Sequence, residues 1–342
     1  MIAASASPAG PGSLAATDPV DLHLHTHASD GAWTPDGLID YLAERRFRVA
    51  SVCDHDTQRS VAEAIRLGKE RGVHIVPGVE VTTRWANRQW HLLVYGIHPE
   101  RTDEAALPFQ AVLADLDTTL SNLAADARGR VEDSSRPLPS LPDIVGERPM
   151  WPFQVLSALI KDGHAKGLKE AAELVTELGG GFSADEPLEH VVEAAHRAGG
   201  ICVIAHPGRG DTVGEVTESD LAAILAEMPI DGLEAHYRSY TDEQTARYRD
   251  LAERHGLLIS CGSDSHAPKT PVDPRPWRAA WCAGLLARLG FVVEMPPIGA
   301  AIWAPGMDPD AVVPAPPDTV SDDPAAAAPK EPAIPAMGTG KR

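Results

Sequence analysis

Seven short apolar runs, Val20–Leu24, Val49–Cys53, Val73–Val76, Trp90–Ile97, Ile201–Ala205, Gly232–Ala235 and Leu257–Cys261, are spaced along the chain. Apolar runs this short, bounded by turn signals, read as buried strands. Helical segments follow several of them, and strands that alternate with helices give a parallel sheet. This number of units suggests closure into a barrel. The first helix is the best signposted, with Thr34 as N-cap, Pro35 at its first position and Asp36 in its first turn. Leu38, Ile39, Leu42 and Ala43 then supply its apolar stripe. Between about residues 101 and 187 the rhythm breaks. A long helical stretch (Ala105–Arg128), a Pro-rich passage and two shorter stretches (Val155–Lys161 and Leu168–Leu178) read as a mostly helical insertion forming a lid. The expected division is a disordered leader over 1–18, one domain over 19–304, and a disordered Pro/Ala/Asp-rich tail over 305–342.

The residues that end these runs are the chemically informative ones. His23 and His25 lie two apart at the carboxyl end of the first run, on the same side, and Asp30 follows in the loop. His55 ends the second run within Cys53-Asp54-His55-Asp56, and Glu80 follows Pro77-Gly78-Val79. His91 opens the run Trp90–Ile97, and His206 sits in Ala205-His206-Pro207-Gly208. Asp264 and His266 fall in Gly262-Ser263-Asp264-Ser265-His266. All but His91 lie just past strand carboxyl ends, the rim where barrels place their chemistry. Each motif alone is weak, but chance does not put such residues from six segments on one rim. Imidazoles and carboxylates together suit Zn, Mn or Fe, and this set is too large for one tetrahedral ion. Two ions roughly 3.5–4 Å apart, bridged by a carboxylate such as Glu80, can hold a hydroxide between them and clamp a phosphoryl group for in-line attack.

The segments His23–Gly31, Asp54–Thr57, Gly78–Glu80, His91–Gly96, Ala205–Pro207 and Gly262–His266, in this order, resemble the PHP (polymerase and histidinol phosphatase) family. Within it, the resemblance is greatest to the phosphoesterases that include nucleoside 3',5'-bisphosphate phosphatase and a 5'-to-3' exoribonuclease. The likeness runs from about Val20 to Leu289. It implies an α/β fold, a distorted (β/α)7 barrel, with two to three divalent ions (Mn, Zn or Fe). Carried over by motif, His23, His25, Glu80 and Asp264 hold one ion, and Glu80, His91 and His206 the second. Asp30, His55 and His266 hold the third. Asp264 is the candidate proton shuttle; no residue is identified as the proton donor to the leaving group, and His266 is a candidate only where it is not committed as a ligand.

Around this set the readings divide. His27 falls outside the family's ligands. Asp54 and Asp56 either orient ligand imidazoles or hold loops together. Arg209 either reaches a second phosphate or is surface charge. His236 and Tyr237 end a run on the same rim, as substrate contacts or as packing. The family's phosphate-binding Arg and His precede a Gly-His pair, here Gly163-His164, and the matching positions hold Pro152 and Gln154 instead. Arg148 is the nearest candidate phosphate clamp, and Trp151 either stacks on a base or packs the lid.

A formal net charge of -19 argues against a sequence-independent nucleic-acid binder. Bound cations can still reverse the field locally for a phosphorylated substrate. The first expectation is therefore metal-dependent removal of phosphate from a small nucleotide such as a nucleoside 3',5'-bisphosphate. The alternatives are a phosphodiesterase or 5'-3' exoribonuclease on short RNA, and a non-catalytic metal-stabilised binding module. Catalytic sites keep open metal positions where structural ones close them, which favours the enzyme. Cys53, Cys202, Cys261 and Cys282 lack CxxC spacing and read as buried reduced thiols. No apolar stretch approaches the roughly 20 residues of a membrane span. Pro8, Gly10, Pro11 and Gly12 interrupt any secretory signal, so a cytoplasmic location is expected.

Overall fold

The computed structural model describes residues 12–209, 214–297 and 299–309. After β1 (Ser13–Ala15) and β2 (Pro19–Leu24) comes α1 (Pro35–Glu44), capped by Thr34, whose Oγ1 accepts the Gly37 N–H at 3.0 Å. β3 (Val49–Val52), α2 (Val61–Arg71), and the long strands β4 (His74–Trp85) and β5 (Arg88–Tyr95) follow. The insertion supplies α3 (Leu107–Asp133), α4 (Leu141–Val145), α5 (Pro152–Lys161) and α6 (Leu168–Glu177). The chain then returns through β6 (Glu186–Pro187), α7 (Leu188–Arg197), β7 (Ile201–Ile204), α8 (Glu218–Glu227), β8 (Gly232–Tyr237), α9 (Asp242–Arg254) and β9 (Leu258–Gly262). β10 (Trp277–Arg278), α10 (Ala283–Arg288) and β11 (Val292–Glu294) complete it.

The main sheet runs β10-β2-β3-β4-β5-β7-β8-β9, with β6 beside β4. At its carboxyl rim the sheet closes on itself. The Asp264 N–H donates to the His23 carbonyl at 2.8 Å, and the His25 N–H to that of Ser265 at 3.0 Å. Leu22, Leu93, Tyr95, Val203 and Cys261 fill the interior, while Leu233, Ala235, Tyr248 and Leu251 pack between sheet and helices. In the lid, the first half of α3 lies on this outer layer through Phe109, Val112 and Leu116. Its second half joins Val155, Leu159, Ala171 and Val175 in a core of the lid's own.

The sheet differs from the all-parallel one expected. β5 pairs antiparallel with both β4 and β7. The cause is the two-residue turn Ala86-Asn87, with φ of 49° and 59°. Two positive φ values make the hairpin turn whose twist matches the strands it joins. The reversal also accounts for His91, since the amino-terminal half of an antiparallel strand lies on the rim its neighbours reach with their carboxyl ends.

Of the expected leader, residues 1–11 lie outside the described residues, but Ser13–Ala15 is a strand paired in parallel with β11. One residue, Leu14, is buried and anchors it in the core with Trp281 and Phe291. Most of the expected tail, from residue 310, also lies outside the described residues, whereas Trp303 and Met307 pack on that same core. Among the described residues no helix is long and apolar enough to cross a membrane, and all four cysteines are free and buried.

Candidate metal centre

Tight turns at the strand ends aim the functional side chains. Asp56, His206 and Asp264 all adopt positive φ, at 55°, 29° and 52°. Non-glycine residues tolerate that region only where surrounding structure imposes it, and such residues gather at functional sites. Gly262 is required by close approach, because a Cβ there would collide with the His23 side chain and the Glu234 carboxylate.

Glu80 is the hub. Its Oε1 lies 2.9 Å from His91 Nδ1 and 2.9 Å from His206 Nε2. Its Oε2 lies 2.9 Å from His23 Nε2, 3.2 Å from His25 Nε2 and 3.4 Å from His55 Nδ1. Asp264 Oδ1 is 2.9 Å from His25 Nε2 and 3.4 Å from His266 Nδ1. Asp30 Oδ2 faces His266 Nε2 at 3.2 Å and His55 Nε2 at 3.9 Å. All nine residues singled out in the sequence thus meet on one rim. Eight of them supply donor atoms to three overlapping groups: His23, His25, Glu80 and Asp264; His55, Glu80 and His91; and His25, Asp30, His55 and His266. His206 lies outside these groups and meets the cluster through Glu80. The first is the implied set. In the second His55 stands in the place expected of His206, and in the third His25 joins.

Burial opposes an ionised Glu80, yet the imidazoles of His23, His55 and His91 hold it well below the usual carboxylate range. Burial likewise opposes an ionised Asp264, and Arg238 with His266 and His23 holds it low. Burial would discharge His23 and His25, but Glu80, Glu234 and Asp264 raise His23 well above its ordinary value, and Asp264 with Glu80 pushes His25 up to about 10. Burial lowers His55 to about 4 and His206 to about 3. The imidazoles of His23 and His25 are thus pushed toward their protonated forms beside buried carboxylates, and their Nε2 atoms face each other at only 3.1 Å. His25 Nδ1 is buried with no hydrogen-bond partner. Nitrogens facing nitrogens, an orphaned ring nitrogen and crowded carboxylates fit divalent cations, which replace such protons on binding. Stripping metal from the full chain with a chelator is accordingly expected to lower Tm by about 5 °C. An ion present at 100 times its Kd adds about 2.7 kcal/mol, and in a large domain each kcal/mol moves Tm by about 2 °C. Coincident melting curves with and without metal would refute this.

The supporting residues were only partly foreseen. Asp54 accepts from Thr26 N (2.6 Å), Thr26 Oγ1 (2.7 Å) and Ser29 Oγ (2.9 Å), fixing the loop that carries Asp30. Asp56 accepts from Thr82 N at 2.6 Å and Thr82 Oγ1 at 2.9 Å. Both therefore hold loops through these hydrogen bonds. Glu234, missed in the sequence, accepts from His23 Nδ1 at 2.9 Å and from the His206 N–H at 2.7 Å. A lone carboxylate inside the apolar run Gly232–Ala235 was the available signal. Arg238, also missed, places Nη1 2.6 Å from Asp264 Oδ2, an oxygen that also accepts from Tyr237 (2.6 Å) and Arg209 (3.2 Å).

The four expected substrate contacts are placed differently from one another. Arg209 reaches the centre, at Asp264. Arg148 does not present a free fork to a phosphate: its guanidinium donates to the backbone carbonyls of His27, Ile144 and Val145, fastening α4 to the His23–Gly31 loop. Trp151 is a packing residue, 5% exposed, with Nε1 donating to Asp117 at 2.8 Å. Gln154 Oε1 accepts the Trp151 N–H at 2.8 Å, so the residue found where the resemblance implies a His serves to cap α5. His236 points away from the histidine cluster and stacks on Trp281, ring centroids 4.9 Å apart.

No protein-family model matches the chain. The chain is 30% identical over 291 residues, 83% of its length and 95% of the relative's, to a 3',5'-nucleoside bisphosphate phosphatase of Chromobacterium violaceum. It is 28% identical over 255 residues, 72% of its length and 85% of the relative's, to the 5'-3' exoribonuclease Rnm of Escherichia coli. Among solved structures, an amidohydrolase of Chromobacterium violaceum with bound sulfate and no metal superposes with a TM-score of 0.63. That match has 27% identity and covers 79% of this chain and 96% of the other. A nearly closed β/α sheet that gathers its histidines and carboxylates into overlapping groups makes this chain a metal-dependent phosphoric ester hydrolase. It belongs to the PHP family.

Proposed function

We propose that the chain removes phosphate from a small nucleotide carrying a 3'-phosphate, of the nucleoside 3',5'-bisphosphate class. The observation that carries this reading is 30% identity, over 83% of this chain and 95% of the relative, to a phosphatase of such substrates. A net charge of -19 also favours a small substrate over a long nucleic acid. Two to three ions (Mn, Zn or Fe) would be held by His23, His25, Asp30, His55, Glu80, His91, His206, Asp264 and His266. When bound, they would supply charge against the phosphoryl oxygens and acidify water.

The chain's own side chains do the rest. Three donors on Asp264 Oδ2 fix that carboxylate, so that Oδ1 serves as a transient proton acceptor rather than a resting store. His266 Nδ1, 3.0 Å from the Asp264 carbonyl oxygen and 3.4 Å from Oδ1, is the candidate group for passing a proton to the leaving oxygen, provided the ring is not committed as a ligand. Arg209, beside Asp264 and Tyr237, is the candidate contact to a second phosphate. Arg148 acts only by keeping the lid on the loop that carries Asp30. Four buried free thiols suit a reducing compartment such as the cytoplasm.

Purified full-length protein with Mn or Zn is expected to release phosphate fastest from nucleoside 3',5'-bisphosphates. The panel includes sugar phosphates and short 5'-phosphorylated oligonucleotides. Faster turnover of the oligonucleotides would favour the second reading, a 5'-3' exoribonuclease, which the similarity to Rnm supports. No turnover of any member with any divalent metal would sink both.

A further inference from the structure

The groups of ligands are held in different ways. His23, His25, Glu80 and Asp264 lie at strand ends, with side chains at most 2% exposed. The sheet-closing bonds between Asp264 and His23 and between His25 and Ser265 fix them. Asp30, His55 and His266 stand on loops, with side chains 17%, 23% and 15% exposed.

Two of those loops are fastened to the lid. Arg148, just after α4, donates to the His27 carbonyl in the loop that carries Asp30. Arg59, in the loop that carries His55, places Nη2 2.5 Å from Asp117 Oδ1 on α3. The same oxygen accepts from Trp151 Nε1 at 2.8 Å, and the Arg59 guanidinium lies 4.8 Å from the Trp151 ring centre. An exposed ion pair alone contributes little. Here the carboxylate is shared with a buried indole whose ring also faces the cation, so the contact is three-sided. Asp54 then ties the two loops to each other. It precedes His55 in the chain and accepts from Thr26 and Ser29 of the Asp30 loop, and Ser60, next to Arg59, donates to it as well.

We infer that Arg59 is a positioning residue for a metal ion. With Asp117 and Trp151 it docks the lid on the His55 loop, and the ion at Asp30, His55 and His266 is held tightly only while the lid is docked. The inference rests on the proposed assignment of those three residues to one ion. It makes this position the conditional one, whereas the position at His23, His25, Glu80 and Asp264 is filled whether or not the lid is docked.

The test titrates the metal-free full chain with Mn(II), the free ion being read by electron paramagnetic resonance. Asp30→Asn marks the binding step that belongs to the loop-borne group. Arg59→Ala and Asp117→Asn, which acts from the lid side, are each expected to weaken that step about 10-fold, as loss of a residue that orients a ligand does. The tightest step should stay at its wild-type value. The double variant should bind no more weakly than either single one, because the two residues form one anchor. In the metal-free protein, amide hydrogen exchange should quicken over residues 26–31 and 54–60 in both variants, while β2 and β4 keep their protection. Weakening of every step together, with faster exchange throughout, would show general loss of structure and overturn the inference. If Asp30→Asn moves a step that both lid variants leave alone, the ligand assignment stands and the role of the lid is refuted. If Asp30→Asn moves no step, the assignment fails and the inference falls with it. None of these results depends on which ester is cleaved, which the substrate panel decides separately.

Discussion

Glu80→Gln is expected to abolish phosphate release while leaving a folded chain. Five imidazoles converge on this one carboxylate, at 2.9 to 3.4 Å, and it is fully buried. Glutamine keeps the volume and one oxygen, but its amide presents N–H donors to ring nitrogens and removes the charge that joins the groups of ligands. Metal ions contribute several kcal/mol to stabilising a phosphoryl transition state, and each 1.36 kcal/mol is a factor of ten in rate. A loss of about 10³-fold or more is therefore expected, with fewer metal ions per chain by elemental analysis and an unchanged far-ultraviolet circular dichroism spectrum. The loss should persist at saturating metal, because the bridge between the groups is gone. A variant with wild-type turnover would remove Glu80 from the centre altogether.

The ligands were readable because metal chemistry demands rare residue types and the fold demands that they fall at strand ends. His23, Glu80 and Asp264 carry both signals in the sequence. The antiparallel β5 was hidden because its apolar run looks the same in either direction. Only the two-residue turn Ala86-Asn87, which lacks the usual glycine, determines its sense. The strand at Ser13–Ala15 was hidden by composition, since a single leucine among small residues holds it. Supporting residues were harder still. Nothing local in Gly232–Ala235 tells whether the carboxylate of Glu234 faces solvent or a histidine, and that depends on a partner 211 positions away. Arg148 misled for the opposite reason. An arginine near a phosphate site suggests a clamp, but backbone carbonyls at a helix end bind a guanidinium as well, and here they do.

Glu234→Gln should separate the two layers of this site. Glu234 is fully buried, with one oxygen on His23 Nδ1 and the other on the His206 N–H. Both partners are donors in the arrangement that turns the His23 Nε2 lone pair toward Glu80, which fixes the tautomer required of a ligand. A glutamine amide has one acceptor end only. If its oxygen accepts from His206, its N–H groups face His23 Nδ1 and drive the imidazole to the wrong tautomer. If it is flipped, the His206 N–H is left buried and unmade. In either case a metal ligand is mispositioned while all nine proposed ligands remain. Loss of such a partner typically weakens metal binding by about 10- to 100-fold. The midpoint of activity against free metal concentration should therefore move up by that factor, and the maximal rate should recover substantially at saturating metal. Recovery is the discriminating result, since Glu80→Gln is expected to show none. A wild-type midpoint in Glu234→Gln would mean that His23 is oriented by something other than this carboxylate. A rate lost beyond recovery by metal would make Glu234 part of the chemistry itself.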